Sequence, residues 1–103
     1  MQEITPTELS KLEQAVIIDV READEVAVAS VPGARHLPMS SFLDHLDEVP
    51  REETVYVMCH SGGRSARVTG YLEQQGYDAV NVTGGISEWA ASGLPVERPT
   101  DAG

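Results

Sequence analysis

The sequence predicts an α/β domain: a parallel β-sheet flanked by helices on both faces. Three observations carry that prediction. Short β-branched runs at Val16–Val20, Thr54–Cys59 and Ala79–Val82 alternate with amphipathic stretches, and such alternation builds β-α-β units whose strands run parallel. The run Val16-Ile17-Ile18-Asp19-Val20 is nearly all apolar, which suits a strand covered on both faces. The length of 103 residues accommodates one domain and leaves no room for a second.

Each element has its own local cause. Thr5-Pro6-Thr7-Glu8 has the form of a capping box, with proline at the first helical position, and predicts a short helix through Leu9 and Leu12. After the Val16–Val20 strand, Glu22 to Ala29 is acidic and then apolar, the order a helix N-terminus favours. Val31-Pro32-Gly33 breaks that helix, and Ala34 to Leu37 is a brief extended segment closed by Pro38. Ser40 or Ser41 should cap a helix whose apolar face is Phe42, Leu43 and Leu46. Thr54–Cys59 is the clearest strand. A glycine-containing loop follows it, then a helix with Val68, Tyr71, Leu72 and Gln75 on one face, stopped by Gly76. Ala79 to Val82 is a further strand, and Ile86, Trp89 and Ala90 form a last helical stripe ending at Gly93. The domain is expected over residues 1–96, with 97–103 as a tail.

Charge and cysteine count narrow the function classes. The chain carries 7 Lys and Arg against 17 Asp and Glu, a formal net charge of −10. Lys11 is its only lysine. Such a balance argues against a nucleic-acid backbone or an anionic membrane as partner, since both demand a basic face. The opening MQEITPTELS has no basic and apolar leader, so a cytoplasmic location is expected. A single cysteine forbids an intrachain disulfide and leaves Cys59 as a buried filler, a lone metal ligand or a reactive thiol.

The residues after Cys59 favour the reactive thiol. In Cys59-His60-Ser61-Gly62-Gly63-Arg64-Ser65 a cysteine ends a buried strand and the chain turns at once toward a helix N-terminus. In open sheets of this kind, ligands bind at the carboxyl ends of the strands. Gly62 and Gly63 should take positive φ and gather several N–H groups around one point, where the helix dipole also favours an anion. A thiolate in that field has a depressed pKa. Arg64 adds a permanent charge and a planar fork suited to an oxyanion. An inert cysteine needs neither feature. A metal site is poorly supported, because no second cysteine exists and His36, His45 and His60 fall at no ligand-like spacing. His60 reads as a loop residue beside the site, and Ser65 as a cap or loop hydrogen bonder whose hydroxyl helps hold the sulfur anion.

On these residues the chain resembles the single-domain rhodaneses, sulfurtransferases that carry sulfane sulfur as a cysteine persulfide. Three stretches carry the resemblance: Ile17 to Pro38 (IIDVREADE…SVPGARHLP), Cys59 to Tyr77 with its loop CHSGGRS, and Val82 to Val96 (VTGGISEWAASGLPV). The resemblance implies a five-stranded parallel sheet and no cofactor or metal. It implies Cys59 as nucleophile and persulfide carrier, with the backbone N–H groups of His60, Ser61, Gly62, Gly63, Arg64 and Ser65 cradling the terminal sulfur. Arg64 would bind a small anionic donor such as thiosulfate, and a thiol, a protein or cyanide would accept the sulfur. Four residues separate Cys59 from Arg64, the loop length of the sulfurtransferases, whereas related phosphatases and arsenate reductases carry five. A non-catalytic interaction module of the same fold is the first alternative, and an arsenate or phosphate-ester enzyme of that fold a less favoured second.

Several positions stay open at this level. Asp19 and Arg21 match the family's Asp-x-Arg, read as a structural pair in preference to a substrate contact. Arg67 either extends the anion site or is a solvated helix arginine, the second being favoured. Trp89 reads as core. Ala29-Ser30 stands where many relatives have Gly-His. The window Thr54–Leu72 holds Arg64 and Arg67 and no acid, hence +2, leaving −12 to the remainder.

Overall fold

The structure, a computed structural model, describes residues 1–98. Five strands, β1 (Gln2–Ile4), β2 (Val16–Asp19), β3 (Arg35–His36), β4 (Val55–Met58) and β5 (Ala79–Val82), form one sheet in the order β1-β5-β4-β2-β3. Every pairing is parallel. Four helices, α1 (Pro6–Ser10), α2 (Ala23–Val28), α3 (Gly63–Gln74) and α4 (Gly85–Ala91), and a 3-10 segment (Met39–Glu48) accompany the sheet. The α/β class and parallel sheet are as the sequence predicts.

Period-two alternation along the central strands divides the core into two layers. On β4, Val55 and Val57 point to one side with Cys59, where they meet Val68 and Leu72 of α3. Met58 and Tyr56 point to the other, against Leu9 of α1 and Ile86 and Trp89 of α4. Val55, Val57, Met58 and Leu72 are each wholly out of solvent. Trp89 is core, as expected, and its indole N–H donates to the Pro95 carbonyl at 2.7 Å. The Thr5–Glu8 capping box forms in both directions.

Four details differ from the sequence-based expectation. The edge strand β1 was not expected from its residues, because Gln2-Glu3-Ile4 shows neither an apolar run nor alternation. Its pairing with Val80–Val82 creates it. The segment after Pro38 is a 3-10 helix interrupted at Ser41 and His45, and neither serine caps it. Three residues per turn bring Met39 and Phe42 into line and displace the α-helical partner, so Phe42 is buried while Leu43 is 66% exposed. Ser40 instead donates its hydroxyl to Glu22 at 2.6 Å. Gln75, which caps the C-terminus of α3, and Ala90 of α4 are exposed and do not join the apolar faces expected of them. Of the stretch read as a tail, Glu97 bridges antiparallel to Ser30, and residues 99–103 lie outside the described residues. Among those described, no helix is long and apolar enough to cross a membrane.

Candidate active site

The sheet order places the site. From β2 the chain crosses outward to β3, and from β4 it crosses the opposite way to β5. Loops that part in opposite directions open a crevice at the carboxyl ends of their strands. Asp19 is in register with Met58, so the loops at Arg21 and Cys59 begin side by side.

The first loop is braced by its own charges. Arg21 Nε lies 3.1 Å from each Asp19 carboxylate oxygen, and Nη2 lies 2.8 Å from Oδ2. Nη2 also donates to the Ala29 carbonyl at 2.7 Å, at the end of α2. Both residues are buried, at 1% and 3% exposure. With its fork so filled, Arg21 ties the first crossover together, and it also lines the cavity beside the second loop.

The second loop wraps the sulfur. Cys59 ends β4 and is 1% exposed. Gly62 donates its amide to Sγ at 3.0 Å, and its φ of +110°, a conformation nearly closed to other residues, turns the chain from there into α3. Ser65, in the first turn of α3, brings its hydroxyl to 3.3 Å from the same sulfur. Burial pushes the Cys59 thiol up; hydrogen bonds from the Ser65 hydroxyl and amide and from the Gly62 and Ser61 amides outweigh it and hold the thiol below its ordinary value. Gly63 does not share the positive φ expected of it. It is the first residue of α3, and its helical conformation places a Cβ in open space.

The loop rests on the N-terminus of α4. The amides of Ile86 and Ser87 donate to the Cys59 and His60 carbonyls at 2.9 and 3.0 Å. This close approach requires Gly85, at φ +54°, because a Cβ there would overlap the Cys59 carbonyl oxygen.

Arg64 stands at the rim in a bidentate pair with Glu25 of α2, at 2.7 and 2.8 Å. Both side chains are about one-third exposed, at 36% and 31%. The guanidinium holds the Glu25 carboxyl down at about 2, and the carboxylate raises Arg64 in turn. His60 and Ser61 are exposed at the mouth. Arg67 is exposed and, among the described residues, hydrogen-bonds to none of the loop, so the structure leaves it outside the cradle. Beside the loop a cavity of about 350 Å³ opens between Glu25, Val28, His60, Ile86 and Val96.

The sequence reading did not single out Glu25, Asn81 or Gly85. Glu25 looks like any acid in a helical first turn. Asn81 had a usable signal, as the lone polar residue in the apolar strand Ala79–Val82; its Oδ1 accepts the Ser65 hydroxyl at 2.6 Å.

Comparison with known proteins agrees with this geometry. Residues 5–92 match the rhodanese-like domain. A sulfurtransferase of Allochromatium vinosum is 39% identical over 88% of this chain and 86% of its own. A thiosulfate sulfurtransferase of Actinobacillus pleuropneumoniae is 41% identical over 87% of this chain and 84% of its own. Among solved structures, a rhodanese-like domain protein of Staphylococcus aureus superposes with a TM-score of 0.85 at 39% identity, covering 94% of this chain and 99% of that one. A rhodanese-related protein of Thermoplasma volcanium gives 0.89 at 30%, covering 94% and 98%. A sulfur held by its own loop at the end of the central strand, and likeness along almost the whole chain, lead to one conclusion: this chain belongs to the rhodanese-like family.

Proposed function

We propose that this chain is a sulfurtransferase that carries sulfane sulfur on Cys59 as a persulfide. The observation that carries the reading is the sulfur's own setting, with the Gly62 amide at 3.0 Å and the Ser65 hydroxyl at 3.3 Å. Donors aimed at a sulfur stabilise it as an anion, the attacking form of cysteine.

The reaction runs in two halves. The Cys59 thiolate attacks the outer sulfur of thiosulfate, a new S–S bond forms, and the bond to the sulfonate sulfur breaks with its electron pair leaving on sulfite. The loop amides then hold the terminal sulfur, in the manner of an oxyanion hole. An acceptor attacks that sulfur, cyanide giving thiocyanate, and the thiolate is restored. A thiol or an acceptor protein takes the same place, approaching through the cavity beside His60. The donor arrives over the exposed rim of His60, Ser61 and Gly63. Arg64 binds its anionic end by exchanging part of its pairing with Glu25, which makes a small anion the fitting donor.

Incubation with thiosulfate followed by intact-mass measurement tests the reading. The expected result is a gain of one sulfur that cyanide removes and that Cys59→Ser does not acquire. No gain in the folded wild-type protein, or an equal gain in Cys59→Ser, refutes it in favour of a non-catalytic module of the same fold.

A further inference from the structure

Asn81 has no part in the chemistry described so far, yet it touches the hydroxyl that touches the sulfur. It lies on β5 on the α3 side of the sheet, 3% exposed. Its Oδ1 is 2.6 Å from Ser65 Oγ, and Oγ is 3.3 Å from Cys59 Sγ. The amide Nδ2 meets the Gly62 carbonyl only at 3.5 Å, the outer limit of a hydrogen bond. A continuous polar chain therefore runs from sulfur to hydroxyl to amide, with all three residues buried.

Counting hydrogens gives this chain a direction. A serine hydroxyl has one hydrogen to donate, and here two acceptors compete for it. With Cys59 as a thiol, the S–H donates to Oγ and the hydroxyl hydrogen goes to Asn81 Oδ1. With Cys59 as a thiolate, the sulfur has no hydrogen, and the hydroxyl must turn to it. Oγ then faces Oδ1 as one acceptor against another. A half-turn of the amide presents Nδ2 instead and restores a hydrogen bond to Oγ; it turns Oδ1 toward the Gly62 carbonyl, where the separation is already 3.5 Å and the opposition of two acceptors costs least.

We propose that Asn81 is a positioning residue that reverses the polarity of the Ser65 hydrogen bond, supplying a donor behind the hydroxyl whenever Cys59 is a thiolate. Only a side chain that both donates and accepts can serve the two states. A carboxylate would always accept and draw the hydroxyl away from sulfur; an aliphatic side chain would do neither. Hydrogen bonds to a charged sulfur are stronger than those to a neutral one and reinforce one another along a chain, so the thiolate gains more than the thiol. The charged groups on the elements around the loop are Arg64 and Arg67 of α3, Glu25 and Glu22 of α2, the Asp19–Arg21 pair, Glu88 of α4 and Arg98 beside the cavity, with His60 in the loop itself. None hydrogen-bonds to Ser65 or Asn81. The proposal rests on Cys59 acting as the attacking thiolate.

The pH dependence of Cys59 alkylation by iodoacetamide in the reduced full chain tests it, and needs no sulfur donor. Asn81→Val, a residue suited to a buried strand, should move the midpoint upward, lowering the thiolate fraction about threefold below the midpoint. Asn81→Asp should lower it by more than about tenfold. In a Ser65→Ala background, Asn81→Val should move the midpoint no further. An Asn81→Val midpoint that is unchanged or lowered, or one that rises equally without Ser65, overturns the proposal. If Asn81→Asp does not fold, the Asn81→Val cycle decides alone. A wild-type protein that takes no sulfur from thiosulfate while this cycle holds would sink the sulfurtransferase reading and leave the hydroxyl relay standing.

Discussion

Gly85→Ala is the sharpest test of how the active-site loop is supported. A Cβ at Gly85 would overlap the Cys59 carbonyl oxygen and lie 2.6 Å from the His60 carbonyl oxygen and 2.7 Å from its carbon. All three are backbone atoms, so no side chain can swing aside. Overpacking of this kind costs about 1–3 kcal/mol, and a left-handed conformation costs a non-glycine residue about 1–2 kcal/mol. The sum, about 2–5 kcal/mol, is a large share of the roughly 5–15 kcal/mol that holds a domain together. Relief requires the loop carbonyls to move by on the order of 1 Å, a misplacement that lowers turnover about a hundredfold. Gly93→Ala separates the two contributions, because Gly93 also has positive φ, at +78°, but open space around its would-be Cβ. Urea unfolding and thiosulfate-to-cyanide transfer should show Gly93→Ala destabilised by only about 1–2 kcal/mol with unchanged kcat/KM. Gly85→Ala should lose stability further and lose kcat/KM. If Gly85→Ala matches Gly93→Ala to within about 0.5 kcal/mol in stability and about threefold in kcat/KM, the loop does not depend on the close approach to α4.

Two further outcomes follow from the same geometry. Glu25→Gln should lower the KM for thiosulfate, since Arg64 no longer has a carboxylate partner; an unchanged KM would mean that the donor does not meet Arg64. The variant should also lose up to about 1 kcal/mol at neutral pH, a small figure because both partners are partly in water. Because the folded Glu25 carboxyl sits at about 2, below its ordinary 4.5, this contribution is fully present above pH 4.5. It is lost as pH falls toward 2, so wild type and variant should converge there in urea titrations. Gly70→Ala should stabilise the protein by about 0.5–1 kcal/mol, because Gly70 lies inside α3 and its would-be Cβ meets only Met1 Cε at 3.8 Å. A lowered unfolding midpoint would contradict that.

The elements legible in the sequence are those with a local cause. The capping box at Thr5, the strands Val16–Asp19, Val55–Met58 and Ala79–Val82, and the glycine stop after α3 each depend on neighbouring residues, and each is where the pattern puts it. β1 and the 3-10 segment were not legible, since the first exists through its pairing with β5 and the second through packing that selects Met39 and Phe42. The site divides along the same line. Cys59, Gly62, Arg64 and Ser65 lie within seven residues, so their order alone implies an anion cradle.

What the sequence by itself determined, then, is the α/β class and the sulfur-holding loop, because turn geometry, helix dipole and glycine conformation act over a few residues. Only the tertiary structure decided what surrounds that loop. Glu25 is 39 residues from the arginine it clasps, Asn81 is 16 from the serine whose hydroxyl it accepts, and Gly85 lies under carbonyls more than twenty residues before it. Such contacts leave no periodic trace in the chain. They arise when the crossovers from β2 and β4 part in opposite directions and bring α2, α3 and α4 to the same end of the sheet.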